Sequence, residues 1–302
     1  MISTKEEIED TFFFFGERIP RSTSARLNST HMSAATYRRF KTSYRLFLRF
    51  SRSWRWPFLR TAKIFGQDHL FYSPGLLLDR DMTVIEDGTA NYSKEALKPH
   101  RPKAKFKNWL YGPRVNQPEF GASPLDKKII LTGIGPTPDE LKEKAEVIDI
   151  KALWSAKSPE DREWILSLYG INSSKLELLK GKRAILLTQT FERCGVPEDV
   201  VVEVYRGLIK GVDPRELVIK PHPASTLDYK KYFPDAFIFE DKIPMELLTF
   251  IGVEFDDVYT VSTTAALSMS PKTRVHFAGT SVHPLILKAI GPMEYSDFVT
   301  KE

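Results

Sequence analysis

A single cysteine, Cys194, stands in a chain of 302 residues, so no internal disulfide can form and a reducing cytoplasm is the expected compartment. No stretch approaches the ~18 to 20 consecutive apolar residues that a membrane-spanning helix needs. The opening "MISTKEE" lacks the charged, apolar and small-residue order of a secretory signal. Zinc-ligand spacings, a phosphate-binding P-loop, a Gly-rich dinucleotide fingerprint and a Ser-His-Asp order are missing too, which removes the commonest signatures of other enzyme classes. With 42% hydrophobic and 27% charged residues the chain is too apolar to be disordered, and it is long enough for two domains.

One absence is local. Between Glu17 and Asp68 there is no acid, while twelve Lys or Arg residues fall in the interval and account for more than the net charge of +5. Within "ATYRRFKTSYRLFLRFSRSWRWP", Tyr37, Phe40, Tyr44, Phe47, Trp54 and Phe58 recur near helical spacing, Arg38, Arg45, Arg49 and Arg52 fall largely elsewhere, and Pro57 ends the pattern. This is a basic amphipathic helix. Its expected role is a core-facing helix with a solvated charged face; the alternative is contact with an anionic membrane surface or a phosphorylated acceptor. Nucleic acid is not an expected partner, because no zinc-finger spacing or RNA-binding aromatic signature accompanies the charge.

From Arg183 onward the short apolar runs "AILLTQ", "ELVIKP", "AFIFED", "VYTVS" and "TRVHFAG" alternate with helical patterns such as "PEDVVVEVYRGLIKGV" and "PMELLTFIGV". Strands alternating with helices predict an α/β fold with a parallel sheet covered on both faces. The first half repeats this less cleanly, with "TFFFF", "HLFYS", "MTVIE", "KIILTG" and "EVIDI" as strand candidates. Two α/β domains follow, residues 1–176 and 177–302, joined through "GINSSKLELLKGK". The Pro- and Gly-rich stretch from Lys98 to Pro124 reads as a long loop.

In open parallel sheets, ligands bind beyond the carboxyl ends of the strands. The polar residues expected there are Glu86, Asp87 and Gly88 after "MTVI", Thr188, Gln189 and Thr190 after "AILL", His222 after "LVIKP", and Ser262, Thr263 and Thr264 after "VYTV". Each has a plain alternative. Asp-Gly is a common turn pair, although a strand-end carboxylate beside a second acid suits a general base. His-Pro recurs at His283-Pro284, but His222 follows a strand and lies between Pro221 and Pro223. The hydroxyls of "VSTTAALSMS" are either helix caps or donors to a phosphate at a helix N-terminus. Glu246 is either a first-turn helix acid or a ligand for ribose hydroxyls.

The stretches "IFGQDHLFYSPGLLLDRDMTVIEDGTANY", "AILLTQT", "LVIKPHP", "IPMELL" and "VYTVSTTAALS", in that order over residues 64–279, resemble the bacterial sialyltransferases of the lipooligosaccharide type, glycosyltransferase family 52. The resemblance implies a GT-B architecture, two Rossmann-like domains with parallel sheets facing across a cleft. It implies CMP-sialic acid as donor, a galactose-terminated lipooligosaccharide or capsular glycan as acceptor, inversion at the anomeric centre, and no metal or other cofactor. Homodimers and a peripheral position at the inner membrane are further implications. By the same correspondence Asp87 is the general base with Glu86 beside it, and Gly88 and Asn91 lie on the acceptor side. His222 bonds or protonates the departing phosphate. Ser262, Thr263, Thr264, Gln189, Glu246, Lys220 and Pro223 lie on the donor side.

These residue types suit that chemistry: charge grows on the leaving phosphate, where imidazole and hydroxyl donors stabilise it, and a carboxylate takes the proton of the incoming hydroxyl. Family members usually open with a strand and a polar loop, whereas here the first strand expected, in "MISTKEEIEDTFFFF", resembles their second. The first βα unit is therefore expected to be missing or the first sheet to be built differently. Three rivals remain: a metal-dependent transferase using Asp79 and Asp81 of an Asp-x-Asp pair, which precedes its strand instead of following it; a non-catalytic binder of a nucleotide or acidic glycan; and a membrane-surface scaffold led by the basic helix.

Overall fold

The structure, a computed structural model, describes residues 4–17, 19, 21–98 and 105–297. The chain divides into two compact units, Met1–Ala156 and Lys157–Glu302. The division falls ahead of the expected 176/177 boundary, because "GINSSKLELLKGK" is not a bare connection. Asn172 caps a short helix, Ser173–Glu177, by accepting the Lys175 N–H at 3.0 Å, and that helix belongs to the second unit.

The first unit holds two parallel sheets. Strands β1 (Phe13–Gly16) and β2 (Ser29–Met32) pair by themselves. Strands β3 (Phe65–Gly66), β4 (Thr83–Ile85), β5 (Lys128–Leu131) and β6 (Ala145–Val147) form a four-stranded sheet in sequential order. "HLFYS" is not a strand. Its residues turn into a helix, Ser73–Leu77, because Pro74 sits in the first turn, where its missing N–H costs nothing. The expected loop from Lys98 to Pro124 lies partly outside the described residues, at 99–104; beyond them it contains a helix, Lys105–Tyr111, and a 3₁₀ turn, Pro113–Asn116.

The basic segment forms a helix over Lys41–Arg55, and Pro57 opens a new 3₁₀ turn as expected. Its orientation differs from the expectation. Leu48 and Ser51 are the residues turned into the core, and Phe40, Phe47 and Trp54 are exposed. Glycine permits the contact: a Cβ on Gly75 would lie 3.0 Å from Leu48 Cβ and 3.2 Å from the Arg45 carbonyl, so the two helices approach closely there, and of the expected core-facing aromatics of this helix Tyr44 packs beside Leu48.

The second unit is one five-stranded parallel sheet: β7 (Ala184–Leu187), β8 (Leu217–Lys220), β9 (Phe237–Ile238), β10 (Asp257–Thr260) and β11 (Arg274–Phe277), in the order β11-β10-β7-β8-β9. All residues of β7 and β8 are buried, as expected for central strands covered on both faces. Leu186, Ile219, Phe191 and Ile286 are among the side chains packed in one core with Tyr205 of the covering helix Glu198–Leu208. The order reverses between β7 and β10, because the chain leaves β7 in one direction and returns to its other side. That makes the gap between them the switch point at which open α/β sheets bind ligands.

Gly121 is where packing leaves the first unit least room. Its φ is +87°, and an added Cβ would sit 2.6 Å from Ile129 Cδ1, a fully buried β5 side chain. Gly121→Ala is expected to destabilise the protein by about 2 kcal/mol or more, from the left-handed backbone and the clash together, seen as a lower urea midpoint; an unchanged midpoint means the loop yields freely.

Candidate functional site

In the first unit the chain leaves β4 at Glu86, and the two neighbouring acids part company. Glu86 turns to β5: its oxygens accept from the Thr132 N–H at 2.6 Å, the Thr132 hydroxyl at 2.7 Å and the Tyr92 hydroxyl at 2.7 Å. Tyr92 in turn accepts the Gly133 N–H at 3.0 Å. Glu86 therefore locks the ends of β4 and β5 together.

Asp87 faces a histidine that sequence reasoning did not single out. Its Oδ2 lies 3.1 Å from His69 Nε2, and its Oδ1 accepts from Gln67 at 2.5 Å, with the carboxylate partly open to solvent. The backbone behind it is fixed by Asn91, which accepts the Asp87 N–H at 2.6 Å and donates to the Phe120 carbonyl at 3.1 Å. Asn91, expected on the acceptor side, is completely buried, and these two bonds hold the loop behind Asp87. Gly88, at φ +87°, supplies the left-handed turn that carries the chain off the strand immediately after Asp87.

His69 is itself held in place. Its ring stacks on Phe120 with centroids 4.5 Å apart, and buried Asp68 accepts the N–H groups of Phe120 and Gly121, each at 2.8 Å. Phe120 has φ +59°, which costs a non-glycine residue about 1–2 kcal/mol. Hydrogen bonds to a charged acceptor contribute about 1.5–3 kcal/mol each, so the two bonds from Asp68 outweigh the strain. Burial works against a charge on His69, but the bond to Asp87 and the charges of Asp87, Asp68 and Glu119 prevail and raise its pKa above the ordinary 6.5.

In the second unit the register aligns Thr260, Leu187 and Lys220 in one row across β10, β7 and β8. The residues that follow leave the sheet at one level, and this gathers the strand-end candidates Ser262 and Thr263, Thr188 and Gln189, and His222. Thr188, buried at the end of β7, accepts the His222 N–H at 3.0 Å. His222 Nδ1 accepts the Ala224 N–H at 3.1 Å, which puts the proton of the neutral ring on Nε2. The turn closes with the Ser225 N–H on the His222 carbonyl at 2.8 Å. Pro221 and Pro223 flank this turn, with Pro223 exposed.

Three further residues brace the turn and carried no signal in the sequence. Tyr229 donates to the Thr188 hydroxyl at 2.9 Å and lies 3.1 Å from the Ser225 hydroxyl. Glu192 accepts from Ser225 and from the Thr226 N–H, both at 2.8 Å. Tyr205 accepts the Gln189 N–H at 2.8 Å, so the backbone of that donor-side candidate is fixed from below. Ser262 is buried, and Thr263 and Thr264 are half-buried. The segment after them is not the expected helix but a 3₁₀ turn, Thr264–Ser268, with no side-chain cap. Its dipole is correspondingly short, which leaves the hydroxyls as the donors that matter.

Lys220 and Glu246 form a separate cluster beside this row. Lys220 Nζ donates to the Asp241 carbonyl at 3.3 Å and lies 5.6 Å from the Phe239 ring centroid. Burial pulls the Lys220 amine down to about 8, against the opposing charges of Glu246 and Asp241. Glu246 lies in the first turn of the helix Met245–Phe250, where the dipole favours an acid. The Asp-x-Asp pair lies at the other end of β4 from Asp87, and Asp81 there pairs with Lys127 at 3.5 Å. Among the described residues, no group of three His, Cys, Asp or Glu side chains is gathered as a metal site.

Comparison with solved structures defines the class. The fold matches that of the α/β-galactoside α-2,3-sialyltransferase of Photobacterium phosphoreum, with a TM-score of 0.53, 12% identity, and coverage of 90% of this chain and 84% of that one. It also matches a 2,6-sialyltransferase of Photobacterium sp. JT-ISH-224, solved with the donor product CMP and the acceptor substrate lactose, at a TM-score of 0.53, 13% identity, and coverage of 87% and 64%. This is a GT-B fold. The model of glycosyltransferase family 52 matches residues 73–285, and the chain belongs to that family of glycosyltransferases. An uncharacterized protein of Haemophilus influenzae is 35% identical over 301 residues, covering 98% of this chain and 94% of its own.

Two measurements check this geometry. Asp87→Asn removes the charge that opposes burial, so the His69 pKa, followed by NMR, is expected to fall; a pKa that stays put means Asp87 does not set it. The stabilisation from this pair is complete below about pH 6.5, the unfolded value, and is lost as the pH rises through the raised folded value. Lys220 has the opposite sense: its folded pKa of about 8 lies below the ordinary 10.5, so between those values the unfolded state holds more protons and stability rises with pH. Wild type should therefore gain thermal stability relative to Lys220→Met from about pH 7 to about pH 10; a constant gap would rule out a desolvated amine.

Proposed function

We propose that this family 52 enzyme transfers sialic acid from CMP-sialic acid to a terminal galactose of a bacterial lipooligosaccharide or capsular glycan. The observation that carries this reading is the row of donors at the switch point, where Thr188, Gln189, His222, Ser262 and Thr263 leave neighbouring strand ends at one level. Such a row suits a nucleotide phosphate, and the fold relative solved with CMP and lactose supports this donor and acceptor chemistry.

In the reaction, the bond from the sialyl anomeric carbon to the phosphate oxygen of CMP breaks, and its electron pair leaves with the phosphate. A bond forms from the same carbon to the acceptor hydroxyl oxygen on the opposite face, which inverts the centre. Asp87 takes the hydroxyl proton, with its carboxylate oriented by Gln67 and His69. His222 gives a hydrogen bond from its Nε2–H to the leaving phosphate, on which negative charge grows as the bond breaks, assisted by Ser262 and Thr263. Gln189 and Glu246 serve the nucleotide, Lys220, Pro223 and Thr264 border it, and Gly88 keeps the Asp87 loop clear for the acceptor. No metal ion takes part in this scheme. The enzyme works in the cytoplasm, at the inner membrane where a lipid-linked acceptor would be met, and pairs as a homodimer.

Turnover of CMP-sialic acid with a galactoside panel tests the assignment. Asp87→Ala and His222→Ala are each expected to lower the rate at least ~100-fold while leaving the fold intact, and a chelator is expected to leave it unchanged. Near-normal rates in a folded Asp87→Ala protein exclude that base. Tight CMP binding with no transfer and no donor hydrolysis identifies a non-catalytic binder instead, and product from a different CMP-linked acidic sugar reassigns the donor.

A further inference from the structure

The helix Lys41–Arg55 is already docked to its unit by one side. Leu48 and Ser51 are buried, Arg52 donates to the Leu76 carbonyl at 2.7 Å, and Arg45 donates to the Tyr37 hydroxyl at 2.8 Å. The other side carries aromatics that the fold does not use. Phe40 is 52% exposed, Phe47 45%, Phe50 68% and Trp54 71%. At about 100° per residue, Phe47, Phe50 and Trp54 fall within an arc of roughly 60°, and exposed Phe40 directly precedes the first helical residue, Lys41. Trp109 of the neighbouring helix, 70% exposed and in ring contact with Phe106 at 5.8 Å, adjoins it: the Arg49 guanidinium lies 6.0 Å from the Phe50 centroid and also donates to the Trp109 carbonyl. A contiguous exposed aromatic surface of this kind is a docking surface in ordinary soluble proteins.

The charge around it selects the occupant. Arg39 lies 5.3 Å from the Phe40 ring, and Arg55 lies 5.7 Å from Phe47 and 5.9 Å from Trp54, so guanidinium groups border the stripe. No carboxylate occurs in the sequence between Glu17 and Asp68. A second copy of the chain placed face to face here would bring arginine against arginine with no acid of this segment to offset it. An anionic bilayer matches both components: aromatic rings enter the boundary between headgroups and acyl chains, and arginines pair with lipid phosphates. Among the described residues no helix is long and apolar enough to cross a membrane, so the contact is peripheral.

We infer that the exposed aromatic stripe of Lys41–Arg55, with its bordering arginines, docks the protein on an anionic membrane surface. This deepens the membrane position proposed above by naming the surface that makes the contact, and because docking is measured with no donor or acceptor present, its failure is distinguishable from failure of the transferase reading. The test uses the full chain and sedimenting vesicles of phosphatidylcholine alone or with about a third phosphatidylglycerol. Each cation near such a surface contributes about fivefold in affinity at low salt. Binding to the anionic vesicles is therefore expected to be at least ~10-fold tighter, with quenching of tryptophan fluorescence by brominated acyl chains. The triple change Phe47→Ser, Phe50→Ser, Trp54→Ser is expected to abolish binding, and Arg39→Gln with Arg55→Gln to remove most of the preference for anionic lipid. Melting curves check that each variant is folded, and since all these side chains are exposed, wild-type curves are expected. Equal binding to both vesicles, no binding by wild type, or undiminished binding by the folded triple variant overturns the inference. So does sedimentation showing a wild-type dimer that the triple change dissociates, which would assign the stripe to a second copy.

Discussion

The hydrogen bond from the His222 N–H to the Thr188 hydroxyl ties the end of β8 to the end of β7, and most of what the second unit offers a ligand follows from it. Parallel pairing sets Leu187 level with both Lys220 and Thr260, so residues far apart in sequence emerge side by side. Thr188 then converts that level into a fixed imidazole, because the same hydroxyl is also met by Tyr229, which is braced by Ser225 and through it by Glu192. A ring carried on an unsupported turn would wander, and here Thr188, Tyr229, Ser225 and Glu192, all buried or half-buried, stand behind it.

The first unit reaches comparable rigidity by another route. Its carboxylate is aimed by side chains from three separate segments: Gln67 and His69 on one loop, Asn91 beneath, and Phe120 stacked against His69. The left-handed Phe120 is tolerated because Asp68 holds the two N–H groups at that bend. Local backbone strain kept in place by buried hydrogen bonds accords with a loop whose shape matters more than its stability.

Much of this was legible from the residues in order. Hydrophobic runs ending in Asp87, Gln189, His222 and Ser262 disclosed which polar groups cap a strand, since strand period and turn chemistry are local properties. His69 was hidden for the same reason. It lies in "HLFYS", whose aromatic and apolar content imitates a strand, and its partnership with Asp87 exists only once β3 and β4 pair. Tyr205 and Tyr229 read as core aromatics, and their hydroxyls acquire a purpose only beneath the folded turn. The orientation of the basic helix failed differently. Aromatic residues outnumbered Leu48 and Ser51 in the pattern, but the side that approaches Gly75 carries Leu48, and no count of apolar residues reports which side a neighbour can reach.

Because Leu48, Ser51 and Tyr44, with the bonds of Arg45 and Arg52, fasten that helix beside Gly75, its outward aromatics Phe47, Phe50 and Trp54 are not needed to hold it. A change at Phe50 or Trp54 leaves the buried side of the helix untouched, so the character of this surface can be altered without cost to the packing beneath it.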